Sequence, residues 1–165
     1  MEYCLINDTR FENHYGCKFA TENIIDLLKR TGLALRASWG IKDEEGLHDF
    51  FEKFMSEIDI WVVNAEGSLH SANRVCREIS NFVSYARERG KKVIVLNGTW
   101  YDNTKKLQAQ LLEASFLSFR DLHSCSFFPE SLCCTDFASL KLLPLAKGSP
   151  SNRNKLKILV SDSIL

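Results

Sequence analysis

The segment Asn64-Ala65-Glu66-Gly67-Ser68-Leu69-His70 puts a carboxylate, a hydroxyl and an imidazole around one glycine. Glu66 is suited to act as a general base or to accept a hydrogen bond from a ligand hydroxyl. Ser68 can cap a helix while touching ligand, and His70 can act as an acid or contact a phosphate. The loop follows an apolar run, residues 58–63 (IDIWVV), and precedes a helical pattern that begins near Ser71. It therefore falls at the carboxyl end of a strand, where open α/β sheets place their sites. The free N–H groups of a following helix can hold an anion there.

The chain opens with the same arrangement. Leu5-Ile6 leads into Asn7-Asp8-Thr9 and then His14-Tyr15-Gly16-Cys17. Asn7, Asp8 and Thr9 are types that bind sugar hydroxyls or orient a histidine. His14 has the titration range of an acid–base catalyst, and Gly16 would let a ligand approach the backbone. The same residue types also make turns and helix caps, so the pattern alone leaves both readings open. Asn97-Gly98-Thr99-Trp100-Tyr101 offers either a stacking platform or an aromatic lid over the core. Arg120 can bind an anion or pair with Asp121 or Asp136. His48 and His123 read as exposed helix or turn residues. A hydrolase elbow is excluded, because Ala65-Glu66-Gly67-Ser68-Leu69 lacks flanking glycines on both sides of the serine. A dinucleotide fingerprint is excluded because no G-x-G-x-x-G follows the first strand.

The elements that must position these residues follow from periodicity. Strands are expected at 3–7, 33–38, 58–63, 92–96, 116–119 and 131–135. Helices are expected at 17–31 with Gly32 as C-cap, after Asp43 as N-cap through Met55, at 72–89 and at 105–112, with a short helix or turn at 122–128. Alternating strands and helices predict a parallel sheet with right-handed crossovers. That is a Rossmann-like α/β domain of about six strands, flanked by helices, over 1–143. Residues 144–154 (PLAKGSPSNRN) read as a linker. Residues 155–165 read as a fresh strand, the expected start of a second domain.

The bulk numbers fit one soluble domain. The chain has 165 residues, with 45% hydrophobic and 25% charged. Twenty-one basic residues balance 21 acidic ones, so nothing global attracts nucleic acid or an anionic membrane. No apolar run is long enough to span a bilayer, and the start lacks a signal-peptide pattern. The six cysteines, Cys4, Cys17, Cys76, Cys125, Cys133 and Cys134, show no zinc-site spacing. They read as reduced thiols of a cytoplasmic protein. No metal or cofactor is expected.

Taken together, NDTR…HYGC, DIWVVNAEGSLH, KVIVLN, FLSFRDLHS and CCTDF resemble, in order and spacing, the polysaccharide pyruvyl transferase family across about residues 3–138. The middle motif is the most specific. Ala65 stands where the family usually has glycine, and Cys133-Cys134-Thr135-Asp136 lacks the usual proline before the aspartate. The resemblance implies a GT-B-like architecture of two Rossmann-like domains facing a cleft, with this chain as the amino-terminal, acceptor-side half. Members transfer pyruvate as a ketal from phosphoenolpyruvate to a sugar of a surface polysaccharide, and distant relatives are expected to transfer sugars. The implied catalytic residues are Glu66, His70 and His14. The implied substrate-binding residues are Asn7, Asp8, Thr9, Gly16, Asn64, Gly67, Ser68, Asn97 and Arg120. The expected partners are a saccharide acceptor and, through a second domain, phosphoenolpyruvate or a nucleotide-sugar donor. A homodimer supplying the cleft, a non-catalytic interaction or regulatory module, and a nucleotide-binding α/β domain are the alternatives.

Overall fold

In the computed structural model, which describes residues 1–141, six parallel strands form one sheet in the order β2-β1-β3-β4-β5-β6. The elements run β1 (Glu2–Ile6), α1 (Tyr15–Arg30), β2 (Ala34–Trp39), α2 (Leu47–Phe54), β3 (Ile60–Asn64), α3 (Arg74–Glu88), β4 (Lys92–Gly98), α4 (Lys105–Leu111), β5 (Phe116–Phe119), α5 (Leu122–Ser126), β6 (Leu132–Cys133) and a 3-10 turn (Phe137–Lys141). This is the expected Rossmann-like α/β arrangement. Its strand order is the flavodoxin-like variant, in which the chain reverses direction between β1 and β3. The expected linker and terminal strand, residues 144–165, lie outside the described residues.

The order dictates the layers. The chain steps from β1 to β2 in one direction, then passes back over β1 to β3 and continues to β6. Right-handed crossovers in opposite directions put their helices on opposite faces. Strand alternation shows the result. Cys4, Ile6, Trp61 and Val63 join Phe50, Phe51, Ile79, Phe82 and Leu107 in one buried cluster beneath α2, α3 and α4. Tyr3, Leu5 and Val62 join Ala20, Ile24, Leu28 and Phe137 in the other, beneath α1 and the 3-10 turn. Trp61 is wholly buried, its ring 4.6 Å from Phe51 and 5.8 Å from Phe82. Such aromatic packing carries much of a core of this size.

Two helix starts differ from expectation. Asp43 does not cap α2. Its Oδ2 accepts from the Gly40 N–H at 2.6 Å in the preceding turn, and α2 begins later, after Gly46. Likewise α3 starts at Arg74, its cap being Asn73, whose Oδ1 accepts from the Cys76 N–H at 2.8 Å. Between β3 and α3 the chain passes through Ser71 and Ala72 at φ 51° and 43°, a left-handed kink that non-glycine residues adopt at a cost. No described helix is long and apolar enough to cross a membrane.

Candidate functional site

Because all strands are parallel, the segments that follow them gather at one edge of the sheet. β1 and β4 end alike: Asn7 and Asn97 each take φ 62°, a conformation asparagine tolerates better than most residues. This turns both side chains inward.

The Asn7 amide donates to the Asn64 carbonyl at 2.7 Å and to Ser68 Oγ at 3.0 Å, joining β1 to the loop after β3. The Asn64 amide donates to Thr21 Oγ1 at 3.0 Å and Thr9 Oγ1 at 3.3 Å. The two threonine hydroxyls lie 2.8 Å apart, and Thr9 Oγ1 donates to the Cys17 carbonyl at 2.9 Å. Asn7, Thr9, Thr21, Asn64 and Ser68 are all buried. Asn7, Thr9, Asn64 and Ser68, expected as ligand contacts, are hydrogen-bonded into one polar floor across the switch point. Ser68 is not a helix cap: its hydroxyl donates to the Glu66 carbonyl at 3.0 Å, closing the loop on itself.

That floor presents Glu66. Its backbone N–H donates to Asn64 Oδ1 at 3.3 Å, and the chain turns at Gly67, φ 60°, a conformation that glycine adopts without strain. The Glu66 side chain is only 9% exposed. Oε1 lies 4.0 Å from Arg120 Nη1, while buried Oε2 has no hydrogen-bond donor. Burial pushes its carboxyl up to about 7, reinforced by Asp136 and opposed by Arg120. Arg120 is fixed rather than free. Its Nε donates to Thr99 Oγ1 at 2.6 Å and its Nη1 to Asp136 Oδ2 at 2.8 Å. Of the two partners weighed from sequence, Asp136 holds it, while Asp121 caps α5 through the Ser124 N–H at 2.7 Å. Cys17, in the first turn of α1, also feels Glu66; burial first and then Glu66 raise its thiol to about 11.

The other expected residues end or follow β1, β3 and β4 along the same edge of the sheet. Asp8 is buried facing Arg10, which chelates it at 2.6 to 3.1 Å. Burial alone would raise the Asp8 carboxyl, but the Arg10 hydrogen bonds outweigh it and hold it below the usual range. Asp8 lines a 340 Å³ recess with Ser38 and Ile41, toward β2. His14 is the exposed N-cap of α1, its Nδ1 accepting from the Cys17 N–H at 3.3 Å. Its ring lies over Gly16, where an added Cβ would meet it at 3.1 Å. His14 also borders a 210 Å³ hollow with Arg10, Glu12 and Lys18. His70 is exposed, beyond buried Leu69, and its backbone is bridged to Tyr101. Asn97 is fully buried and binds the Phe137 N–H through Oδ1 at 3.1 Å, its own amide lacking a partner. Trp100 is core, edge-on to Phe128 at 5.1 Å, and Tyr101 is 59% exposed.

Sequence reasoning missed Thr21, Thr99 and the full part played by Asp136. Thr21 carries a findable signal: it shares a helix face with Ile24 and Leu28, so a hydroxyl stands in an apolar stripe. Among the described residues no group of three or more His, Cys, Asp or Glu could hold a metal ion.

Fold and site together define a doubly wound α/β domain of Rossmann-like type. It carries an acid–guanidinium–acid cluster at the carboxyl edge of its sheet, with the Glu66 side chain nearly buried and Arg120 and Asp136 partly exposed. Compared with protein-family models, curated proteins and solved structures, the chain matches none.

Proposed function

We propose that this chain is the acceptor-saccharide domain of a transferase resembling the polysaccharide pyruvyl transferases, with Glu66 as the base at the acceptor hydroxyl. The observation that carries this reading is the Glu66 carboxyl: nearly buried, raised to about 7, and with Oε2 lacking a donor. A general base works best when its pKa lies near the operating pH. Oε2 is closed to solvent as the domain stands, so a sugar hydroxyl that supplied the missing donor would have to displace what covers it. As the hydroxyl oxygen attacks an electrophilic donor, its proton passes to Glu66. Arg120, tied to Thr99 and Asp136, holds the carboxylate side of the exchange in place. The donor, phosphoenolpyruvate or a nucleotide sugar, belongs in this reading to the second domain that the family resemblance implies. The rim supports the same reading. Phe11, Tyr15, Tyr101 and Leu122 stand 87%, 82%, 59% and 78% exposed in segments that follow β1, β4 and β5. The flat rings of Phe11, Tyr15 and Tyr101 suit the C–H faces of sugars.

Calorimetry of the purified chain against simple hexosides, phosphoenolpyruvate and nucleotide sugars, at about pH 6 and about pH 8, tests it. Hexoside binding that strengthens several-fold with pH in the wild type, and is flat in Glu66→Gln, is the expected result. Absence of saccharide binding at either pH would remove the reading. The exposed rim also favours a second one, a non-catalytic module whose partner covers those side chains. In that case the Phe11→Ser/Tyr15→Ser variant would dissociate a dimer, or a defined complex, seen by analytical ultracentrifugation of the wild type.

A further inference from the structure

A 340 Å³ recess lies between the segments that follow β1 and β2. Phe11, Glu12, Ser38, Ile41 and Lys42 line it, with the buried Asp8. Both walls are held in place by the fold. The Asp8 N–H donates to the Trp39 carbonyl at 2.9 Å, tying the two segments together. On the β2 side the Gly40 N–H donates to Asp43 Oδ2 at 2.6 Å and the Trp39 indole N–H to the Glu45 carbonyl at 2.7 Å. On the β1 side the Glu12 N–H donates to the Thr9 carbonyl at 3.1 Å. Small-molecule sites are commonly preformed in this way, in cavities of roughly 300–1,000 Å³. This one stands at the small end of that range, with room for one ring rather than a nucleotide. It also adjoins the Glu66 loop. The Asn7 amide turns to the Asn64 carbonyl and Ser68 Oγ, whereas the next residue, Asp8, turns to the recess. β2 and β3 are the two neighbours of β1, so the strand ends that carry the recess and Glu66 lie within two strand spacings, about 10 Å.

The chemistry of the recess selects a neutral, hydroxyl-rich ring. Asp8 is not available to a ligand, because Arg10 contacts both its oxygens and its side chain is 2% exposed. Glu12 and Lys42 are available. They come from opposite walls, with Oε1 and Nζ 3.7 Å apart, too far for a good hydrogen bond. A carboxylate only accepts and an ammonium only donates, whereas a hydroxyl does both. A sugar hydroxyl between them accepts from Lys42 while donating to Glu12. Ser38 adds a further hydroxyl, and Phe11, 87% exposed, adds a flat ring face for sugar C–H groups. Arg10 neutralises Asp8, and Glu12 and Asp43 outnumber Lys42, so the lining does not favour an anion such as phosphoenolpyruvate or a nucleotide. We propose, resting on the acceptor-saccharide reading above, that this recess is a second saccharide subsite. The acceptor is then a chain of at least two sugars. One unit reacts at Glu66, and a neighbouring neutral sugar sits against Phe11 between Glu12 and Lys42.

Calorimetry of the full-length chain compares methyl glucoside, galactoside and mannoside with disaccharides that end in the same sugars. The expected result is a disaccharide that binds about tenfold or more tighter than the methyl glycoside of its terminal sugar. Ile41→Trp, which fills the recess, should remove that gain and leave the methyl glycoside affinity unchanged; Phe11→Ala should lower the gain. A disaccharide that binds no tighter than the methyl glycoside, or a gain that survives Ile41→Trp, would overturn the subsite and leave the Glu66 reading standing. Silence toward every sugar would remove the Glu66 reading, and the subsite with it. The wild-type comparison alone separates these outcomes, so the test does not depend on any variant folding.

Discussion

Glu66 ties pH to stability with a definite sign. An unfolded glutamate titrates near 4.5, and this one titrates at about 7 in the fold. Between those values the folded chain keeps a proton that the unfolded chain has released. Stability therefore falls as pH rises through that window, and the contribution is fully present below it. Glu66→Gln removes the dependence. Between about pH 5 and about pH 8 the wild type should lose up to about 3 kcal/mol more than the variant in denaturant titrations; parallel losses would show that Glu66 is ionised throughout. The floor beneath it makes a second prediction. Thr21→Val keeps the shape but leaves the Asn64 amide one acceptor short, and should cost about 1–3 kcal/mol with no change in secondary structure by circular dichroism. Residue types at strand ends were readable from sequence: Asn7, Thr9, Asn64 and Ser68 were all singled out. Their direction was not. A left-handed asparagine turns its amide into the sheet edge, and only the neighbouring strand decides what it meets. Glu66 was readable because the glycine after it marks a turn that leaves an acidic side chain at the sheet edge.

At the scale of elements, periodicity located every strand and α-helix of the described residues to within a few positions, though not the 3-10 turn at Phe137–Lys141, since buried faces repeat visibly in Phe50, Phe51 and Phe54 or in Ile79, Phe82, Val83 and Ala86. Helix starts were harder. Asp43 and Ser68 both have capping chemistry, but each is used by a nearby turn, and sequence does not tell which backbone N–H lies within reach. Close approach of elements was likewise hidden. A Cβ on Gly98 would meet the Phe119 ring at 3.0 Å and Leu69 Cδ1 at 3.3 Å. The register slip of β4 against β5 falls at this point. Gly98→Ala should therefore destabilise by about 1–3 kcal/mol through overpacking and disturb the Thr99–Arg120 contact beside it. Thermal melts measure the first effect. The second should appear as a changed pH response at Glu66, followed by carboxylate NMR.

The described part of the molecule is lopsided. One face of the sheet carries α2, α3 and α4, whereas among the described residues the other carries α1 and the 3-10 turn. Phe137 closes that thinner side. Its carbonyl accepts from the Asn23 amide at 2.6 Å and its N–H donates to Asn97 Oδ1, so α1 and the end of β4 both grip it. Phe137→Ala should cost about 3–5 kcal/mol. In native-state hydrogen exchange the loss should speed α1 before α3, because the two helices belong to different clusters; uniform acceleration would mean that the sheet opens as one unit.

The parallel sheet also sets how the molecule meets a surface. β1 is an interior strand and runs from the edge opposite the site, with Met1 81% exposed at its start and its carbonyl accepting from the Ala34 N–H at 3.0 Å. An anchor attached ahead of Met1 leaves from the far side of the sheet. A sensor chip or bead that captures the chain there would display Glu66, Arg120 and the apolar rim outward, all in one orientation, to whatever flows past.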